Sequence, residues 1–203
     1  MTMTEPSGAD RVATGTAPEA LARITDPGVA AAIWERARDP AFAAWIDGLA
    51  PDRLPRLRTE VAPAHAANAV HAACAQAGTP GGALRDRLAE DAGALALIFA
   101  GVMGAPMLRL RLDVVEDDAC RRFHCDRVMA RLLCTYRGAG TEYGAGAGAR
   151  PDDVHALEPG AAAVFRGALW PGEKTRLLHR SPPMARGGMA RLLLVLDPRA
   201  DAP

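Results

Sequence analysis

Met107-Leu-Arg-Leu-Arg-Leu-Asp-Val-Val115 alternates apolar and charged side chains, the period of a strand with one face buried and one open. Three more runs of strand length follow: Arg131-Leu-Leu-Cys-Thr-Tyr-Arg137, Ala161-Ala-Ala-Val-Phe165 and Arg191-Leu-Leu-Leu-Val-Leu196. Gly and Pro clusters separate them, and no segment between them has the length and pattern of a crossover helix. The half of the chain beyond Pro106 therefore reads as an antiparallel sandwich or jelly roll. The unbroken apolar run Leu192 to Leu196 fits a strand covered on both faces. Between two strands, the Gly- and Ala-rich stretch 138 to 150 reads as a mobile loop.

Working outward towards the N-terminus, the composition changes to Ala, Leu, Arg and Glu. Asp26-Pro27 and Asp39-Pro40 each place a capping carboxylate before a proline suited to the first helical position, so helices are expected from both points. Ile33, Trp34 and Ala37, then Phe42, Trp45, Ile46 and Leu49, recur at helical spacing. Further helices are expected at about 63 to 77 and 83 to 103. Residues 1 to 17, small and polar without periodicity, read as a disordered lead. The expectation is an α+β protein with one domain over 18 to 203. Its helical N-terminal half, 18 to 105, would pack on a C-terminal double-stranded β-helix (jelly roll) of residues 106 to 197, with a tail at 198 to 203.

The bulk properties exclude several classes. Lys plus Arg balance Asp plus Glu at 24 each, so no overall field attracts nucleic acid or an anionic membrane surface. Gly93, Gly101, Gly104 and Pro106 interrupt the longest apolar stretch, which falls short of a bilayer span. No apolar signal core opens the chain, and the four cysteines lack both C-x-x-C and disulfide-like spacing. A cytoplasmic protein with reduced thiols is expected.

Phe123-His124-Cys125-Asp126 carries the chemistry. In an extended segment alternate side chains share a face, so His124 and Asp126 point together while Cys125 points away. With the distant His179 they make the ligand set of a facial triad, which holds non-haem iron with open positions. Each letter alone is common, and a single His is more often a hydrogen-bonded core or surface residue. The surroundings add weight: Glu158-Pro159-Gly160 leads into a strand, His179 follows, and Arg191 then opens a strongly apolar strand. That order resembles the C-terminal part of iron and 2-oxoglutarate oxygenases of the double-stranded β-helix fold. The resemblance implies Fe(II) at His124, Asp126 and His179, and 2-oxoglutarate with its far carboxylate on Arg191. Arginine suits that task because its planar fork holds a carboxylate with two parallel bonds. Arg180 is a second candidate, although beside His179 it should face the other way. Tyr136 is a candidate cofactor-pocket residue, with Thr135 and Glu142 beside it. The implied activity is hydroxylation of a small-molecule or peptide substrate.

Phe123-His-Cys-Asp126, the run Arg131 to Glu142 and His179-Arg-Ser-Pro-Pro183 also resemble a bacterial family, domain of unknown function 1826, over most of residues 106 to 197. Its association with metal homeostasis favours a metal protein. The alternative to an oxygenase is thus a non-enzymatic zinc-binding or metal-homeostasis protein on the same fold, with Cys120 as an added thiolate ligand.

Other motifs carry less. His71 and Cys74 lie on one helical face, but with His65 nearby they do not close a zinc site, and His155 sits in a polar loop. The stretch Gly167 to Thr175 approaches a phosphate loop, yet Glu173 displaces the lysine and no helix can follow. There is no G-x-S-x-G elbow.

Overall fold

The computed structural model describes residues 8–116, 121–146, 150–183 and 188–199. Ten strands and three α-helices alternate along it: β1 (Arg11–Gly15), β2 (Val29–Trp34), α1 (Pro40–Gly48), β3 (Leu57–Val61), α2 (Ala66–Gln76), α3 (Ala83–Met103), β4 (Leu108–Val115), β5 (Ala130–Arg137), β6 (Glu142–Ala145), β7 (His155–Ala156), β8 (Ala162–Arg166), β9 (Leu177–Arg180) and β10 (Arg191–Pro198). Seven strands form a large sheet in the order β1-β2-β8-β5-β10-β4-β3, and three form a small sheet in the order β7-β6-β9.

Two apolar layers hold these parts together. Side chains of α3 such as Leu88, Leu95 and Phe99 meet Leu110, Leu112, Leu132, Leu192, Leu194 and Leu196 on one face of the large sheet. On the other face, Ile33, Leu133, Ala163, Phe165, Leu193 and Val195 meet Leu177 of the small sheet. β10 lies between β5 and β4 and feeds both layers, which is why its apolar run is unbroken. Its odd-numbered residues Leu193 and Val195 face the small sheet, and its even-numbered leucines face the helices.

The N-terminal half departs from a helical layer. Arg11–Gly15, expected within the disordered lead, is a strand parallel to β2. Val29-Ala-Ala-Ala-Ile-Trp34 is a strand too, between β1 and β8, and not the helix expected after Asp26-Pro27. Ala31 belongs to one apolar layer and Ala32 to the other. A short strand covered on both faces loses the period-2 signal, so its alanines and the Ile33, Trp34 pair mimic a helical stripe. Charge-bearing β3 adds an edge strand beside β4. The helices after Asp39, near 66 and from 83 to 103 form as their patterns indicate, with the Asp39 carboxylate accepting from the Phe42 N–H at 3.0 Å.

The stretch read as a mobile loop contains β6, paired with both β7 and β9. Its glycines serve close approach: a Cβ on Gly144 would lie 2.0 Å from the Asp153 carbonyl oxygen. No helix among the described residues is long and apolar enough to cross a membrane.

Candidate metal centre

The site forms where the small sheet meets the face of the large sheet that carries Leu133, Leu193 and Val195. His179 sits on β9, and the His124 and His179 backbones exchange both N–H···O bonds at 3.0 Å. This one antiparallel bridge, rather than a full strand as the sequence suggested, presents the two imidazoles together, with ring centroids 4.7 Å apart. Two residues on, the Asp126 backbone carbonyl accepts from the Ala168 N–H at 2.8 Å, which anchors the turn bearing the carboxylate.

Ligand atoms of His124, Asp126 and His179 all lie within 4.8 Å of one another. His179 Nε2 is 2.9 Å from Asp126 Oδ2, and His124 Nε2 is 3.6 Å from Asp126 Oδ1. The His124 Nδ1 lies 2.8 Å from the Arg122 carbonyl oxygen. A carbonyl can only accept, so Nδ1 carries the hydrogen when the ring is neutral and Nε2 keeps its lone pair for a metal. Phe165 packs against the His179 ring at 5.0 Å between centroids.

Asp126 provides the clearest sign that the cluster suits a cation. Its Oδ2 is buried and has no aligned hydrogen-bond donor, although His179 Nε2 is near. Burial alone raises the pKa of this carboxyl, but His124, His179 and the Arg131 guanidinium outweigh it and hold the group far below the usual carboxylate range. The Asp126 carboxyl is thus ionised at neutral pH. The same contact with Asp126 raises the His124 pKa above its ordinary value, against the effect of burial.

Arg131, which the sequence reading passed over as a strand residue, organises the carboxylate. Its Nη1 lies 2.5 Å from Asp126 Oδ1, while Nε and Nη2 bind Asp197 of β10 at 2.6 and 2.8 Å. Arg131 therefore ties the turn bearing Asp126 to β10 and engages Oδ1, while Oδ2 lies beside His179 Nε2. The available sequence signal was Asp197, a carboxylate ending an otherwise apolar strand.

Arg191 opens β10 and is 1 % exposed. Its Nε donates to the Ala139 carbonyl at 2.7 Å and Nη1 to the Ser181 hydroxyl at 2.9 Å, while Nη2 lies 3.4 Å from Thr135 Oγ1 and 3.5 Å from Thr141 Oγ1. Among the described residues no carboxylate pairs with it. Burial pushes its pKa down to about 10, so at neutral pH it is a buried cation with no carboxylate partner among the described residues. Such a charge is costly unless an anion joins it. Gly138, at φ +79°, lets the chain cross the stem: a Cβ there would meet Arg191 Cγ at 2.8 Å.

The remaining candidates separate cleanly. Arg180 is already engaged, with Nε 2.6 Å from Glu142 Oε2 and its guanidinium over the Phe123 ring, whereas Arg191 has no carboxylate partner among the described residues. Thr135 lies beside Arg191, with its Oγ1 3.4 Å from Nη2. Tyr136 does not reach the centre: it points to the helix side, where its hydroxyl donates to Asp91 Oδ2 at 2.7 Å and its ring meets Phe42 edge-on. The alternation of β5 explains this, since Thr135 and Tyr136 take opposite faces. Cys120 lies outside the described residues. The Cys125 thiol approaches the Asp126 and Arg166 carbonyls at 3.8 and 3.9 Å.

A helix-backed large sheet facing a small one, with a His-Asp-His cluster between them, makes a jelly-roll-like arrangement with a candidate metal centre. The chain belongs to the family described as Protein of unknown function (DUF1826), whose model matches residues 15–197. No curated protein sequence matches it. Among solved structures it is similar to dioxygenase for auxin oxidation 1 from Arabidopsis thaliana in its 2-oxoglutarate complex. The TM-score there is 0.52 at 11% identity, over 95% of this chain and 94% of that one. The rice dioxygenase for auxin oxidation gives 0.48 at 17% identity, over 94% and 83%. A Pseudomonas putida prolyl-4-hydroxylase gives 0.37 at 21% identity, over 81% and 98%.

Proposed function

We propose that this protein is a non-haem Fe(II)/2-oxoglutarate-dependent oxygenase that hydroxylates an organic substrate, with iron held by His124, Asp126 and His179. One observation carries this reading: a three-ligand cluster, one of whose buried carboxylate oxygens has no aligned hydrogen-bond donor, shares a sheet face with a buried arginine that has no carboxylate partner among the described residues. The donor set fits iron, since two imidazoles and one carboxylate leave further positions open. Bound iron and keto acid would supply dioxygen activation coupled to oxidative decarboxylation of 2-oxoglutarate.

The chain's own residues do the rest. Arg191, flanked by the Ser181, Thr135 and Thr141 hydroxyls, receives the far carboxylate of the keto acid and neutralises its own buried charge in doing so. The Arg122 carbonyl holds His124 in the coordinating tautomer, and Arg131 fixes Asp126 so that Oδ2 faces the metal. Leu133, Leu193 and Val195 give the cavity an apolar floor that limits water near the reacting atoms. The 11% identical Arabidopsis structure, which binds 2-oxoglutarate, supports the reading through its shared fold.

The test is an anaerobic titration of metal-free protein with ferrous iron and 2-oxoglutarate, monitored for the weak visible charge-transfer band of a chelated iron and keto acid. The band is expected in wild type and absent in His179→Ala. Tight zinc binding with no band in wild type would instead favour the metal-homeostasis alternative.

A further inference from the structure

The cavity over the metal centre, about 480 Å³, has two unlike ends. Leu133, Leu193 and Val195 line one part, while the open part is walled by Arg56, Arg58 and Arg111 of the β3–β4 edge. A neighbouring cleft of about 470 Å³ shares Arg58 and Arg111.

Most guanidinium groups around the cavity have carboxylate partners. Arg56 binds Glu116, Arg111 lies 3.3 Å from Asp113, Arg180 binds Glu142, and Arg131 bridges Asp126 and Asp197. Arg58 is exposed and has no hydrogen-bond or ion-pair partner among the described residues. It also stands directly opposite Arg111 in the β3–β4 ladder. Like charges facing each other across a strand pair destabilise it, and an anion between them would relieve the repulsion.

From this we infer the substrate class, resting on the function proposed above: a small organic anion whose carboxylate or phosphate group is held by Arg58 opposite Arg111. Its apolar body then lies over Leu133, Leu193 and Val195, with a C–H bond presented to the centre. The paired arginines hold the wall in place, and the unpaired one is left to select charge.

The test uses protein loaded with Mn(II) and 2-oxoglutarate, with Mn(II) uptake checked first by electron paramagnetic resonance. Cyclohexanecarboxylate, cyclohexyl phosphate and the neutral cyclohexanecarboxamide are then titrated in, following the paramagnetic broadening of their proton resonances. One or both anions should broaden at concentrations where the amide does not, and which anion responds identifies the headgroup. Arg58→Gln should weaken anion binding on the order of tenfold or more, as loss of a charge-assisted contact implies, and Arg58→Lys should keep most of it. Equal binding of the amide, or unchanged anion binding in Arg58→Gln, overturns the inference. Failure to take up Mn(II) would count against the oxygenase reading alone. The same probes, followed by saturation transfer on metal-free protein, would then decide the anion site by the same two criteria.

Discussion

Asp126, Arg131 and Asp197 form a chain of charge that runs from the centre into the sheet, and its middle member carries the structural load. Replacing Arg131 by Gln leaves Asp197 and Asp126 partly buried without their cation, which should destabilise the fold by about 3–5 kcal/mol. If Arg131 positions Asp126, metal affinity should also fall by about 10–100-fold. Denaturant melts and calorimetric Mn(II) titration check the two effects separately, and Arg131→Lys should recover stability more than affinity, since an ammonium cannot span both carboxylates. His124 gives the centre a pH dependence. Its folded pKa is raised above 6.5, chiefly by Asp126, so in metal-free protein its stabilising contribution is complete below pH 6.5 and is lost as pH rises through the raised value. Metal needs the neutral ring, so Mn(II) affinity should fall on acidification from that raised value downward. A pH series of Mn(II) titrations that stays flat across this range would contradict the assignment of His124 as a ligand. That His124 and Asp126 point together was legible because alternation acts over two residues, and His179 joins them across a β-bridge. Arg131, Ser181 and Thr141 were not legible, because their roles depend on which strands become neighbours.

Among the elements, β10 carries the most. Leu194 is fully buried between β4 and β5 and faces α3's layer, so Leu194→Ala should destabilise the protein by about 2–5 kcal/mol. Leu97 on α3 is 55% exposed, and Leu97→Ala should stay within about 0.5 kcal/mol of wild type. Chemical denaturation of the two variants side by side provides the comparison. The elements the sequence disclosed are those with one wet face or a strong cap: β4 through its alternation and α1 through Asp39. β2 was misread because burial on both faces erases periodicity. Tyr136 was misassigned because a one-residue difference in a strand moves a side chain to the opposite layer. It belongs instead with Arg36 and Asp91, whose bidentate pair at 2.5 and 2.7 Å ties the end of β2 to α3.

At the scale of the molecule, helices cover one side of the large sheet and the small sheet covers part of the other, leaving the charged β3–β4 end open. The jelly-roll half was legible because its strands are short and antiparallel. The strands β1 and β2 of the N-terminal half were not, since β2 joins the sheet only through β8, far along the chain, and β1 joins only through β2. Ligand linkage should report on the whole assembly. With Mn(II) present, 2-oxoglutarate at 100 times its dissociation constant should add about 2.7 kcal/mol to unfolding, and Arg191→Gln should remove most of that gain. The most direct measurement is an anomalous-diffraction structure of crystals grown with Mn(II) and 2-oxoglutarate. One manganese peak is expected, bound by His124 Nε2, Asp126 Oδ2 and His179 Nε2, with the keto acid chelating it and its far carboxylate on Arg191. Manganese elsewhere, or a keto acid that leaves Arg191 unpaired, would contradict the proposed ligand set and anchor.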